Sequence, residues 1–407
     1  MARLLFLAHR IPYPPIKGEK IRSWHMLDRL TRRWEVELGC LVDDPADWDH
    51  LPFLRTRCAA VEARAVPPRW QAGARALLRA RPGQPLSLGW FHDPALFAWV
   101  RAGLAARRWG AAFVYSSGVA HYLMGPEARA AGLRRVLDFV DVDSAKWAAY
   151  AEAEARFPMR QVWAREARTL LAFERRAAAE YDRSLFVSAE EAAHFAALAP
   201  ETRDRLDHVD NGVDLSRFDP ATPHANPFAG RPPALVFTGT MDYRPNVDAV
   251  TWFAGEVLPL VPGPVEFWIV GASPAPAVRA LAARPGVFVT GGVPDVRPYI
   301  AHAAVSVAPL RIARGIQNKV LEAMAMARPV VATPQAFEGV RATPGRDLLV
   351  AADAAQTAQR VAEVISGQHA GLGAAGQAAV TVGHVWEAAL QRLDAAMATA
   401  SLRLASG

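Results

Sequence analysis

A chain of 407 residues, 52% hydrophobic and 21% charged, is too long for one ordinary core and fits two domains of about 200 residues each. It has no polar low-complexity tract, which argues against extended disorder, and no run approaches the roughly 18 apolar residues of a membrane span. The net charge of +6 is uneven, since residues 51–135 hold thirteen arginines against Glu62, Asp93 and Glu127. Two readings of that excess stay open: a general use of Arg for Lys, whose only instances are Lys17, Lys20, Lys146 and Lys319, or a basic surface for an anionic partner. Nucleic acid is not expected as that partner, because no reader motif accompanies the charge. Cys40 and Cys58 read as reduced thiols, and His9, His121 and His194 as packed or surface histidines; with no zinc spacing, neither metal nor another cofactor is expected. The apolar opening ends at His9-Arg10 without a small-residue cleavage site, so no signal peptide and a cytoplasmic location are expected.

Along the chain, short apolar runs alternate with longer helical patterns, a βαβ rhythm. Strands are predicted at residues 3–8, 36–41, 111–116, 135–140 and 184–188. Residues 144–181 read as one long amphipathic stretch carrying Trp147, Tyr150, Trp163, Leu170, Leu171 and Phe173, its aromatic residues serving packing. After Asn211-Gly212 and a Pro-rich connector at 219–233 the rhythm restarts, with strands predicted at 235–239, 265–271, 287–290, 305–308, 329–332 and 347–350. A last helix near 385–400 sets Trp386, Leu390, Leu393 and Met397 on one stripe, which must dock. The class is therefore α/β: two Rossmann-like domains with parallel sheets facing a cleft, residues 1–208 with 385–407 and residues 209–384.

Several segments carry chemistry. In Pro12-Tyr-Pro-Pro-Ile-Lys-Gly18 the glycine lets backbone approach a ligand, the plain alternative being a surface loop. In Asp138-Phe-Val-Asp-Val-Asp-Ser144, Asp143 or Ser144 reads as a helix N-cap and Asp141 as the functional carboxylate. Phe237-Thr-Gly-Thr-Met-Asp-Tyr-Arg-Pro-Asn246 is a strand running through Gly239 into a helix, as phosphate loops do. Gly271, Gly291-Gly292-Val293 and Asp295 follow later strands, where the same glycines also serve ordinary turns. The most informative segment is Arg314-Gly-Ile-Gln-Asn-Lys-Val-Leu-Glu322 and its continuation to Thr333, a turn glycine, a helix and a strand. Backbone N–H groups at Gly315, Ile316 and Gln317 there would begin the helix and offer a diphosphate site, while Lys319 and Glu322, three apart, face the same way.

With these motifs, and with His208-Val-Asp-Asn-Gly-Val-Asp-Leu-Ser-Arg-Phe-Asp-Pro220 as a hinge-like connector, the chain resembles the family-4 retaining glycosyltransferases of GT-B fold over nearly its whole length. The phrases Asp138 to Trp147 and Gly315 to Ala325 are, more narrowly, similar to bacterial sugar transferases of exosortase-associated polysaccharide loci. The resemblance implies a metal-independent transfer of sugar from a nucleotide diphosphate sugar to a lipid-linked or saccharide acceptor, with retention. It makes the first domain the acceptor side and the second the donor side. It assigns the ribose hydroxyls to Glu322, leaving-diphosphate charge to Lys319, the nucleotide base to the surroundings of Gly271, Val293 and Asp295, and a cleft-lining place to Gly18. Asp141 would orient or deprotonate the acceptor hydroxyl.

This chain departs from the family pattern at three places. Arg314 stands where relatives often carry a sugar-binding glutamate, and Thr240 and Asn246 where they carry an arginine and a lysine, so Arg244, Arg311 or Arg314 would have to supply the missing charge. A nucleotide-sugar epimerase on the same fold and an inactive sugar-nucleotide-binding partner remain the rival classes. The basic stretch including residues 67–79 would bring the protein to the anionic inner face of the plasma membrane.

Overall fold

A computed structural model of the chain describes residues 2–16, 18–66, 83–154, 156–313 and 315–398. The basic residues 67–79, Lys17 and Arg314 lie outside these described residues. The chain divides into two units, one running to Val209 and resuming at Leu390, the other spanning Asp210–Ala389.

In the first unit, β1 (Arg3–Ala8), β2 (Glu35–Val42), β3 (Ala60–Ala65), β4 (Ala111–Tyr115), β5 (Arg134–Val140), β6 (Arg183–Phe186) and β7 (Leu206–His208) form one parallel sheet in the order β3-β2-β1-β4-β5-β6-β7. The middle strands are covered on both faces, so Leu4, Leu5, Phe6 and Leu7 are all buried and the strand reads as an unbroken apolar run. β1 registers Leu4 with Val36 on one side and with Ala111 on the other.

Two strands were not expected. β3 is a half-exposed edge strand carrying Glu62 and Arg64, and β7 is only three residues long; neither has the continuous apolar run of an interior strand. The long amphipathic stretch is also not one helix. It is two, Asp143–Ala153 and Met159–Glu180, interrupted ahead of Pro158, whose ring fixes φ and removes an amide donor. The second of these helices lays Leu170, Phe173, Ala177 and Ala178 on the sheet core.

The second unit repeats the plan with β8 (Ala234–Thr238), β9 (Glu266–Val270), β10 (Val287–Gly291), β11 (Val305–Ala308), β12 (Val330–Ala332) and β13 (Leu349–Val350), parallel in the order β10-β9-β8-β11-β12-β13. In each sheet the direction of strand addition reverses beside the first strand, at β1/β4 and at β8/β11, and crevices for ligands open at the carboxyl ends of such switch points. The last helix, Trp386–Met397, buries the stripe expected of it, Trp386, Leu390, Leu393 and Met397. Among the described residues no helix is long and apolar enough to cross a membrane.

Candidate functional site

At the carboxyl ends of β8 and β9 the backbone itself forms the floor. The Gly239 amide donates to the Val270 carbonyl at 3.1 Å, the Gly271 amide to the Gly291 carbonyl at 3.2 Å, and the Met241 amide to the Ala272 carbonyl at 2.8 Å. A Cβ at Gly271, where φ is +149°, would sit 1.7 Å from the Gly239 carbonyl oxygen, so the two loops touch without any side chain between them. A Cβ at Gly239 would reach 2.7 Å from Asn246 Nδ2 and 3.4 Å from Lys319 Nζ, which places both polar side chains directly against this floor.

Lys319 and Glu322 belong to the helix Asn318–Ala325. Val320, Leu321, Ala323, Met324 and Ala325 are buried and anchor it, leaving Lys319 and Glu322 half-buried at i,i+3 spacing. The helix begins one residue beyond the expected stretch: Gly315, with φ +66°, Ile316 and Gln317 lead into it, and the Gln317 side chain does not cap it. Ile316 is buried, and Gln317 turns its amide Nε2 back to the Gly315 carbonyl at 3.1 Å. Asn211 Nδ2 donates to Asn318 Oδ1 at 3.1 Å, tying the connector segment to the start of this helix.

The ammonium of Lys319 is not paired as a simple surface bridge to Glu322. It donates to Asn246 Oδ1 at 2.7 Å and lies 4.2 Å from the centroid of the Phe237 ring. Burial pushes Lys319 down to about 7, against the opposing pull of the Glu322 charge. Burial likewise lifts Glu322 to about 7, against Arg217 first and Lys319 second. A desolvated ammonium and a desolvated carboxylate, both still reachable by solvent, therefore stand side by side on one helix face.

Arg217 was missed in the sequence, where its segment reads as a connector. Its charge acts on Glu322 and on Asp295, and its carbonyl accepts from Arg297 Nη1 at 3.1 Å. The only local signal was its place in the Asn211-Gly-Val-Asp-Leu-Ser-Arg217 phrase. Asp295 itself is gripped by Arg297, with Nε at 3.0 and 2.9 Å from its two oxygens; burial raises its pKa, but these bonds outweigh that and hold it below the ordinary value. Val293 packs against the cluster of Phe228, Ala234, Val236, Val270 and Ala303. Of the substitute cations, Arg311 forms a two-pronged pair with Asp248 at 3.0 and 2.6 Å, Arg244 is half-buried in the first turn of the helix Arg244–Trp252, and Arg314 lies outside the described residues.

In the first unit Gly18 opens the helix Gly18–Thr31 and is exposed. Asp141 follows Val140, a β-branched residue at φ +69°, a strained conformation of the sort found at functional strand ends. Its carboxylate accepts from Lys146 Nζ at 2.7 Å, and Lys146 also reaches Asp143 at 3.2 Å. Neither Asp143 nor Ser144 caps the helix Asp143–Ala153. Two buried glutamates do so from far along the chain: Glu191 accepts from the Val142 amide at 2.7 Å, and Glu174 accepts from the amide of Ser144 at 3.2 Å and from its hydroxyl. Burial raises Glu174 to about 8. Beneath them Asp138, fully buried, receives Arg22 Nε at 2.8 Å and Nη2 at 3.0 Å, and Arg22 also donates to the Phe186 and Val209 carbonyls. Among the described residues no group of His, Cys, Asp and Glu is arranged to hold a metal ion.

This architecture has known counterparts. Over 97% of the chain it superposes on sucrose-phosphate synthase of Thermosynechococcus elongatus, covering 98% of that chain at 18% identity with a TM-score of 0.71. HepE of Anabaena, solved with UDP and glucose, matches over 97% of this chain and 99% of its own at 14% identity with a TM-score of 0.67. WaaG, a glycosyltransferase involved in lipopolysaccharide biosynthesis, matches over 97% and 100% at 16% identity with a TM-score of 0.66. The fold is GT-B. Residues 232–367, which contain Gly239, Gly271, Lys319 and Glu322, match the family described as Glycosyl transferases group 1. No curated protein matches the chain in sequence.

Proposed function

We propose that this GT-B protein is a retaining, metal-independent glycosyltransferase that moves a sugar from a nucleotide diphosphate sugar to a lipid-linked or saccharide acceptor in bacterial exopolysaccharide synthesis. The observation that carries the reading is the pairing of Lys319 and Glu322 on one helix face beside the bare Gly239 and Gly271 backbone, within the segment that matches group 1 glycosyltransferases. HepE, of the same fold, was solved with UDP-glucose, which supports a sugar nucleotide as the donor.

Each residue then has a task. Ionised Glu322 accepts hydrogen bonds from the two ribose hydroxyls, as a carboxylate with two oxygens can. The Lys319 ammonium stabilises the negative charge that grows on the diphosphate as the glycosidic C–O bond breaks, and fixed backbone dipoles at the strand ends add to it. The acceptor hydroxyl attacks from the face the diphosphate leaves, and Asp141, with Lys146 holding its carboxylate, orients that hydroxyl on the acceptor side. The basic segment at 67–79 supports an acceptor held at an anionic membrane surface.

Calorimetric titration with UDP, GDP and ADP, followed by product analysis with the matching sugar nucleotides, tests the reading. One nucleotide should bind the native protein, and Glu322→Gln should weaken it about 10- to 100-fold at unchanged melting temperature, the worth of charge-assisted hydrogen bonds. Native protein that binds none of the three, or Glu322→Gln that binds as tightly as native, would defeat it.

A further inference from the structure

The residue that holds Lys319 is a neutral amide, and its orientation is determined. Asn246 is 5% exposed, on the first turn of the helix Arg244–Trp252. Its Nδ2 donates to the Thr240 carbonyl at 2.8 Å, which leaves Oδ1 to accept from Lys319 at 2.7 Å; the flipped amide would set donor against donor at Lys319 and acceptor against acceptor at Thr240. Gly239 leaves the room in which both side chains lie, since a Cβ there would meet Asn246 Nδ2 at 2.7 Å.

An amide suits this place better than the alternatives. An aspartate would neutralise the ammonium in a half-buried ion pair and add a negative charge where an anion must come. A lysine would set like charges together and drive one of them to lose its proton. An apolar residue would leave the ammonium without its acceptor. Only a neutral acceptor pins the ammonium while leaving its whole charge for a ligand.

From this geometry we propose that Asn246 is a positioning residue, which holds the Lys319 ammonium over Phe237 and against the Gly239 backbone so that it meets the diphosphate of the donor. The inference rests on the function proposed above for the donor diphosphate, but its first test does not.

That test is the titration of the Lys319 side chain by NMR, practical because the chain has only four lysines. Among the described residues, the charged groups acting at this site are Glu322, on the helix of Lys319, and Arg217, which acts on Glu322. Asn246→Asp should raise the Lys319 midpoint by about one unit or more, and Asn246→Ser should shift it less. The second test compares whichever of UDP, GDP or ADP binds native protein with its nucleoside. Asn246→Asp should weaken the diphosphate about tenfold or more and leave the nucleoside unmoved.

A Lys319 midpoint unchanged in both variants would overturn the inference whatever binds. Equal loss of nucleotide and nucleoside would overturn it too, showing a structural role only. If the midpoint moves but native protein binds no nucleotide, the proposed function fails and the diphosphate role of Asn246 falls with it, while the contact between the two side chains stands.

Discussion

The two sheets share a strand order around their first strands, β3-β2-β1-β4 and β10-β9-β8-β11, yet they finish those strands in opposite ways. At the carboxyl ends of the first sheet, charges are satisfied internally: Arg22 with Asp138, Lys20 with Asp47 at 2.6 Å, and Lys146 with Asp141. In the second sheet the ends of β8 and β9 are glycine backbone, and the nearby Lys319 is held by a neutral amide while Glu322 is set first by burial and then by the charges of Arg217 and Lys319; the pairs Arg297 with Asp295 and Arg311 with Asp248 lie beyond the neighbouring strands β10 and β11. The difference separates scaffold from site. Paired ions at strand ends maintain the shape of one sheet, whereas incompletely neutralised, desolvated charges beside open backbone are poised for a ligand of their own chemistry.

The sharpest way to break this contrast is at its most buried pair. Arg22→Met leaves the fully buried Asp138 carboxyl without its partner and should cost about 3–5 kcal/mol, read as a fall in denaturation midpoint. A loss below about 1 kcal/mol would mean that the first sheet does not depend on its internal pairing. Next in size is Gly271→Val, which sets a β-branched side chain at φ +149° against the Gly239 carbonyl. It should cost about 1–3 kcal/mol and abolish nucleotide binding through displacement of the loop; a variant that binds like native protein would show that this backbone floor is not part of the site.

The smallest effect is pH dependence. Glu322, lifted to about 7, must lose its proton to accept ribose hydroxyls, so affinity should fall as pH drops below that value. Lys319, lowered to about 7, must keep its proton to meet a diphosphate, so affinity should also fall as pH rises above it. Calorimetry across neutral pH should therefore give a maximum near 7 with a several-fold loss on either side; a loss on one side only would remove one of the two side chains from the site, and steady affinity would remove both.

Much of this architecture is legible in local sequence because burial on both faces leaves a local mark. An interior parallel strand is built around an apolar run, and β1, β2, β4, β5, β6, β8, β9, β11 and β12 each contain one despite polar residues such as Glu37 and Asp138; the edge strands β10 and β13 of the second sheet contain short ones too. The spacing of Lys319 and Glu322 likewise places them on one helix face through the helical period alone. What local pattern does not carry is the partner of a polar atom. Glu174 and Glu191 cap a helix from 30 and 49 residues away, Lys319 finds Asn246 across 73 residues, and Arg217 reaches Glu322 from another segment altogether. The edge strands β3 and β7 escape for a related reason, since pairing on one side alone demands no apolar run. Hydrophobic periodicity is a property of each segment and is written where the segment is. Hydrogen-bond and charge partnership is a property of two segments, and comes into being only when the sheets bring them together.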